Sequence, residues 1–303
     1  MYEDCLAGRR KALGSGHVDT LESLNNLAVV YDCLAQYEKA EPLYIEQYER
    51  EKDKLGADHL DTLRTPNSLA NVYFAQGCYD KAEPLYEGCL ATRTLKLGAT
   101  HPESLKSQCN LAGLYQAQAR YAEAEEAYVA CLAQQRKALG GCGRSGRGGD
   151  VGGDGNDGVH PDSLRTLASL AGLYAAQGRF DEAEPLYKQL LAGRRCALDD
   201  DDPDLLESIN SLAVFYDSQD RYEEAEPLYG EYFLWHMSAV GLAHPNTLMA
   251  AYSLALVVKK LGRREEAAEL AEQCVRGCAT HFGPDHTETK DAEKLLQSIQ
   301  AMK

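Results

Sequence analysis

Apolar positions recur in this chain in a two-helix pattern. Within 59–100, Leu69, Ala70 and Tyr73 fall at i, i+1 and i+4, one stripe of a first helix. Gly77 breaks that stripe. Tyr79, Ala82, Leu85, Tyr86, Leu90 and Leu97 then mark the apolar face of a longer second helix, which Gly98 ends. The skeleton returns as Leu27-Ala28-Tyr31-Tyr37-Ala40-Tyr44, Leu111-Ala112-Tyr115-Tyr121-Ala124-Tyr128, Leu170-Ala171-Tyr174-Phe180-Ala183-Tyr187 and Leu212-Ala213-Tyr216-Tyr222-Ala225-Tyr229. A sixth copy, Leu254, Ala255, Gly262 and Ala267, has lost its aromatics. The small alanines let the paired helices approach, and the rings fill the space between pairs.

Polar positions keep the same time. His17, His59, His101, His160, His244 and His286 are separated by 42, 42, 59, 84 and 42 residues. The 59 is one period plus a 17-residue insertion, and the 84 is two periods across Asp202. A fixed period of this size predicts stacked helical units. The units open His59-Leu-Asp-Thr, His101-Pro-Glu-Ser, His160-Pro-Asp-Ser, Asp202-Pro-Asp-Leu and His244-Pro-Asn-Thr. A capping residue, proline at the first helical position and a carboxylate or hydroxyl in the first turn describe a helix start. Asp202 in place of His fits a cap and not a ligand set. Of 18 tyrosines, 15 lie at three repeat phases and are expected in the core, not in acid–base roles.

Spacing of a large then a small residue, an aromatic three on, and Ala-x3-aromatic in the second helix resembles the tetratricopeptide repeat. The eight residues beyond its usual unit of about 34 lengthen the second helix and its exit. Segments such as LGADHLDTL, LNNLAVVYDCLAQYEKAEPLY and LAGLYAAQGRFDEAEPLY are similar to the 42-residue repeats of kinesin light chains, over nearly the whole chain. The resemblance implies an all-α tetratricopeptide solenoid, a right-handed superhelix of antiparallel helix pairs.

The expected organisation is a partial repeat, second helix only, in 1–16, and three repeats in 17–140. A glycine-rich flexible insertion follows in 141–159, then three repeats in 160–285 and a capping helix in 286–303. Tyr2, Cys5 and Leu6 match Tyr86, Cys89 and Leu90, so the chain opens in mid-unit and is expected to be a piece of a longer product. Closing a loop of about 20 residues rather than about 4 costs on the order of 1.5 kcal/mol, so the insertion is expected to bulge between intact neighbours. Pro66 stands inside a predicted first helix, which it either delays or kinks.

Chemistry has few places left. A net charge of −16 gives nucleic acid no electrostatic attraction, and no run of 18 apolar residues predicts a membrane span. Cys5, Cys89, Cys131 and Cys274 share one small apolar phase and are expected as reduced core thiols of a cytoplasmic protein. Cys274 and Cys278 lack the further ligands that zinc needs. The stretch Gly152–His160 matches one calcium-binding nonapeptide, a motif that works only in tandem. No catalytic residue, metal ligand or cofactor is expected, and the chain is read as not an enzyme.

A binding surface is expected on the first helices, opposite the Leu-Ala-aromatic stripe. One row there is Glu22, Arg64, Lys106, Arg165, Glu207 and Met249; the next is Asn25, Asn67, Cys109, Ala168, Asn210 and Tyr252. The third is Val29, Asn71, Gly113, Gly172, Val214 and Leu256. Arg64, Lys106 and Arg165 are consecutive cations in an acidic protein. With Asn25, Asn67, Asn71 and Asn210 they form the candidate site for an acidic peptide carrying a hydrophobic anchor, seated over Gly113 and Gly172. The resemblance to kinesin light chains implies a cargo adaptor of a microtubule motor. A kinesin heavy chain would be a partner only if a coiled coil lies upstream. The alternative is a repeat array from a larger signalling or nucleotide-binding regulatory protein.

Overall fold

Histidine or aspartate caps start several of the first helices, and Gly14, Gly56, Gly98 and Gly241 end second helices. In a computed structural model of the chain, residues 1–140 and 161–302 are described, and every regular element among them is an α-helix. Two compact units result. The first holds α1 (Tyr2–Leu13), α2 (Val18–Cys33), α3 (Tyr37–Leu55), α4 (Arg64–Ala75), α5 (Tyr79–Leu97), α6 (Pro102–Ala117) and α7 (Tyr121–Gly140). The second holds α8 (Pro161–Ala176), α9 (Phe180–Ala197), α10 (Pro203–Asp217), α11 (Tyr222–Val240), α12 (Pro245–Lys260), α13 (Arg264–His281) and α14 (Thr287–Gln300). Within each unit every helix packs on the helices before and after it, the nearest-neighbour arrangement of a solenoid. The insertion 141–159 and the cap at His160 lie outside the described residues.

Most of the expected caps form. His17, His101 and His244 cap their helices, each accepting the backbone N–H two residues on through Nδ1 at 3.2–3.3 Å. Asp202 does the same through Oδ1 at 2.8 Å. His59 accepts in the same way through Nδ1 at 3.3 Å, but within a turn ahead of α4, whose own N-cap is Leu63. His286 departs from the pattern. It makes no side-chain cap bond and instead stacks on Phe282, with ring centroids 4.8 Å apart.

Pro66 delays its helix. α6 begins at Pro102, one residue after its histidine, whereas α4 begins only at Arg64, five after His59. Proline has no N–H for the carbonyl of residue 62, and its ring is tolerated only in a first turn. Residues 60–63 are therefore a turn, with the Leu63 N–H on the His59 carbonyl at 3.2 Å.

The core lies mostly where the pattern puts it, but Cys5, Tyr2 and Tyr121, which the pattern also places there, are exposed. Ala28, Ala40, Ala70 and Ala82 are fully buried between paired helices, with Tyr44, Tyr73 and Tyr86 among them. Burial pushes the Tyr44 phenol up to about 12, so these rings stay neutral. Leu6 of α1 packs on Leu24 and Leu27 of α2. In the second unit Ala292 of α14 joins Leu248, Cys274 and Cys278. No described helix is long and apolar enough to cross a membrane.

Candidate functional site

Because the Leu-Ala stripe of each first helix faces its partner, the opposite face is left to solvent. In the first unit this puts Glu22, Arg64 and Lys106 on the exposed row of α2, α4 and α6. In the second, Arg165, Glu207 and Met249 occupy the equivalent row of α8, α10 and α12, all exposed. The acids of these rows are engaged: Glu22 lies 3.6 Å from Arg9, and Glu207 lies 3.6 Å from Arg194. The side chains of Arg64, Lys106 and Arg165 make no hydrogen bond or ion pair among the described residues. All three are exposed and none is held in an ion pair among the described residues, although Arg64 has carboxylates nearby.

The asparagines divide. Asn25 is half-buried and lines a cavity of about 540 Å³ in the first unit, together with Glu22, Glu51, Lys54, Asp61 and Arg64. That wall mixes three carboxylates with two cations. Glu51 is already occupied, accepting Thr65 Oγ1 at 2.6 Å and Gln47 Nε2 at 2.7 Å. Asn67 is only 9% exposed, and its Oδ1 accepts Asn110 Nδ2 at 3.2 Å, which ties α4 to α6. It is a strut between first helices more than an open contact. Asn71 is exposed, and its Oδ1 accepts the Tyr86 hydroxyl at 2.6 Å. This orients the amide, and its N–H2 group has no partner among the described residues. In the second unit Asn210 is half-buried on α10.

The space over the two glycines is bounded. A Cβ at Gly113 would meet the Tyr128 hydroxyl at 3.6 Å, and one at Gly172 the Tyr187 hydroxyl at 3.9 Å. These are ordinary contacts, so each glycine forms a shallow recess floored by a phenol. No cluster of three or more His, Cys, Asp or Glu side chains with metal-binding geometry occurs among the described residues.

Four stretches, 1–50, 60–137, 162–233 and 206–280, match the profile of the tetratricopeptide repeat. The chain belongs to the tetratricopeptide repeat family. Among solved structures it is similar to the nearly identical TPR-like repeats of a protein described as a kinesin light chain from Podosopora anserina. Identity there is 30% over 73% of this chain and 97% of that one, with a TM-score of 0.61. It shares its fold with BtubC of P. vanneervenii, at 19% identity over 79% of this chain and 88% of that chain, TM-score 0.59. A signal transduction ATPase with numerous domains from Pyrococcus horikoshii, which carries a tetratricopeptide repeat sensor, also shares the fold. There the identity is 15% over 99% of this chain and 40% of that one, TM-score 0.70. No curated protein sequence matches.

Placed on the tetratricopeptide frame, one polar series escaped the sequence reading. Arg93 and Arg194, from the second helices α5 and α9, are 4% and 5% exposed. Each donates to a serine on the next first helix, Ser107 and Ser208, at 2.7 Å. Arg9 and Glu51 make the matching bonds to Ser23 and Thr65. The signal was available: a polar residue at one fixed phase of the second helix, and Ser or Thr at one fixed phase of the next first helix.

Proposed function

We propose that the chain is a non-enzymatic, cytoplasmic protein-interaction scaffold, related to kinesin light chains and acting as a cargo-type adaptor. Its first unit takes an acidic peptide segment with one aromatic or large aliphatic anchor. The observation that carries this is the pair Arg64 and Lys106: exposed cations on successive first helices, neither held in an ion pair among the described residues, in a protein of net charge −16. A ligand carboxylate would have no internal ion pair to break at either cation. The Asn71 amide, held by Tyr86, is oriented to donate to a peptide carbonyl. The likeness to kinesin light chain repeats supports the adaptor reading. A kinesin heavy chain is a partner only where a coiled coil accompanies these repeats in the full gene. The alternative, an array within a larger signalling protein, would be favoured by a nucleotide-binding region encoded upstream of residue 1.

Fluorescence anisotropy with a labelled acidic peptide bearing one tryptophan tests the reading. Binding should weaken with added salt, because exposed charges are screened beyond about 8 Å at physiological ionic strength. Arg64→Glu with Lys106→Glu should weaken it by on the order of tenfold or more, with the helical circular dichroism unchanged. Arg165→Glu on its own reports whether the second unit's cation contributes. Parent-like binding by a folded double variant would overturn the proposal.

A further inference from the structure

In the 42-residue register, each groove-row residue of a first helix has a counterpart on the second helix of its own unit. The pairs are Asn67 with Cys89, Ala168 with Leu190, Asn210 with Tyr232 and Tyr252 with Cys274. Only one unit carries two thiols at this pair of positions, Cys109 of α6 and Cys131 of α7. Their sulfurs are 3.1 Å apart, about 1 Å beyond a disulfide bond of about 2.05 Å. Both residues sit inside regular helices that pack directly on each other, so the approach is fixed by the helix pair and not by a loop. Their exposures differ usefully. Cys131 is fully buried, whereas Cys109 is half-buried on the groove row, one turn after the exposed Lys106.

We propose that Cys109 and Cys131 are a peroxide-responsive thiol pair that closes to a disulfide linking α6 to α7. Cys109, as its thiolate, attacks one oxygen of a hydroperoxide such as hydrogen peroxide. The O–O bond breaks, one water leaves after protonation, and Cys109 becomes a sulfenic acid. The Cys131 sulfur then attacks the Cys109 sulfur, the S–O bond breaks, and a second water carries off the hydroxyl with the Cys131 proton. Two thiols lose two electrons in total and one peroxide gains them. A thiol reductant reverses the step by exchange through a mixed disulfide. Burial of Cys131 makes it the resolving partner, since the oxidant reaches only Cys109. The device is independent of what the groove binds.

The sequence supplies a direct assay. Trypsin cuts after Lys106, Arg120 and Arg136, so Cys109 and Cys131 fall in separate peptides, 107–120 and 121–136. The full chain is reduced, freed of reductant, treated with hydrogen peroxide, quenched in acid, alkylated under denaturing conditions and digested. A cross-linked 107–120/121–136 species, about 2 Da lighter than the sum of its two thiol peptides, is expected. It should disappear after dithiothreitol, from protein that stays monomeric on a non-reducing gel. Cys131→Ser should leave Cys109 as a dimedone-reactive sulfenic acid in place of the cross-link. The proposal is overturned if both cysteines are recovered alkylated, or if Cys109 passes to sulfinic acid while Cys131 stays a thiol. A cross-link from Cys109 to any other cysteine overturns it as well.

Discussion

At the scale of single residues, the buried polar series shows how one repeat recognises the next. Arg194 reaches from α9 to Ser208 at 2.7 Å and to the Asp204 carbonyl on α10, with Glu207 at 3.6 Å. Removing a buried charged donor leaves its acceptors desolvated, so Arg194→Ala should destabilise the chain by about 2 kcal/mol. The same position in the next unit is His236, and there the serine is replaced by Ala250. His236 is 7% exposed, packed edge-on against Tyr232 and Trp235, and neither ring nitrogen has a hydrogen-bond partner among the described residues. Burial, with a smaller push from His244, holds its imidazole below the ordinary value. The unfolded chain therefore binds the proton first as pH falls through about 6.5, and stability drops with it. His236→Leu should flatten the fall in melting temperature between pH 7 and pH 5, measured by scanning fluorimetry; an unchanged slope would count against this. None of this was legible beforehand, because a polar residue at a helical phase reads the same whether it is solvated or bonded across an interface.

At the scale of elements, what the sequence shows best is where helices begin and end. Caps and apolar stripes act within a turn or two, so His17, His101 and Asp202 announce their helices without knowledge of the fold. Pro66 was legible only as two outcomes, and the tertiary burial of its first turn selects the delay over the kink. Pro66→Leu, the residue found as Leu24 and Leu167, should let α4 start nearer His59 and raise amide-exchange protection across 62–67. The turn within each helix pair makes a second test. Gly77, Gly178 and Gly262 adopt positive φ there, and Ala119 takes the same conformation at φ 59°. A side chain in the left-handed region costs about 1 kcal/mol, so Gly178→Ala should destabilise by about that amount. Ala119→Gly should be neutral or slightly stabilising, since relief of strain offsets the added freedom of the unfolded chain. The candidate site is legible for a related reason. Exposure of Arg64, Lys106 and Arg165 follows from helical phase alone, whereas the burial of Asn67 depends on Asn110, which is 43 residues away and on another helix.

At the scale of the molecule, the stability of a stacked array is the sum of its units and the interfaces between neighbours. In this chain the interfaces carry a recurring charge clamp. Arg120 bonds Glu83 of the preceding pair at 2.6 Å, Arg221 bonds Glu184 at 2.6 Å, and Arg263 bonds Glu226. Each of the first two also lies over a tyrosine of its own pair, Tyr115 at 4.2 Å and Tyr216 at 4.5 Å. The Arg221 guanidinium, followed by Lys188, holds the Glu184 carboxyl down to about 2. A depressed carboxylate contributes its full stabilisation above the unfolded value and loses it as pH falls through the folded one. For Glu184 that window runs from about 4.5 down to about 2. Arg221→Gln should therefore lower stability at pH 7 by about 1–2 kcal/mol, a range discounted for partial exposure. The same variant should lose less of its remaining stability between pH 5 and pH 2.5, because the carboxyl has less stabilisation left to forfeit. Thermal melts of parent and variant at both pH values separate the clamp from a general acid effect: if the two proteins lose the same number of degrees on acidification, the bond between Arg221 and Glu184 does not hold neighbouring repeats together.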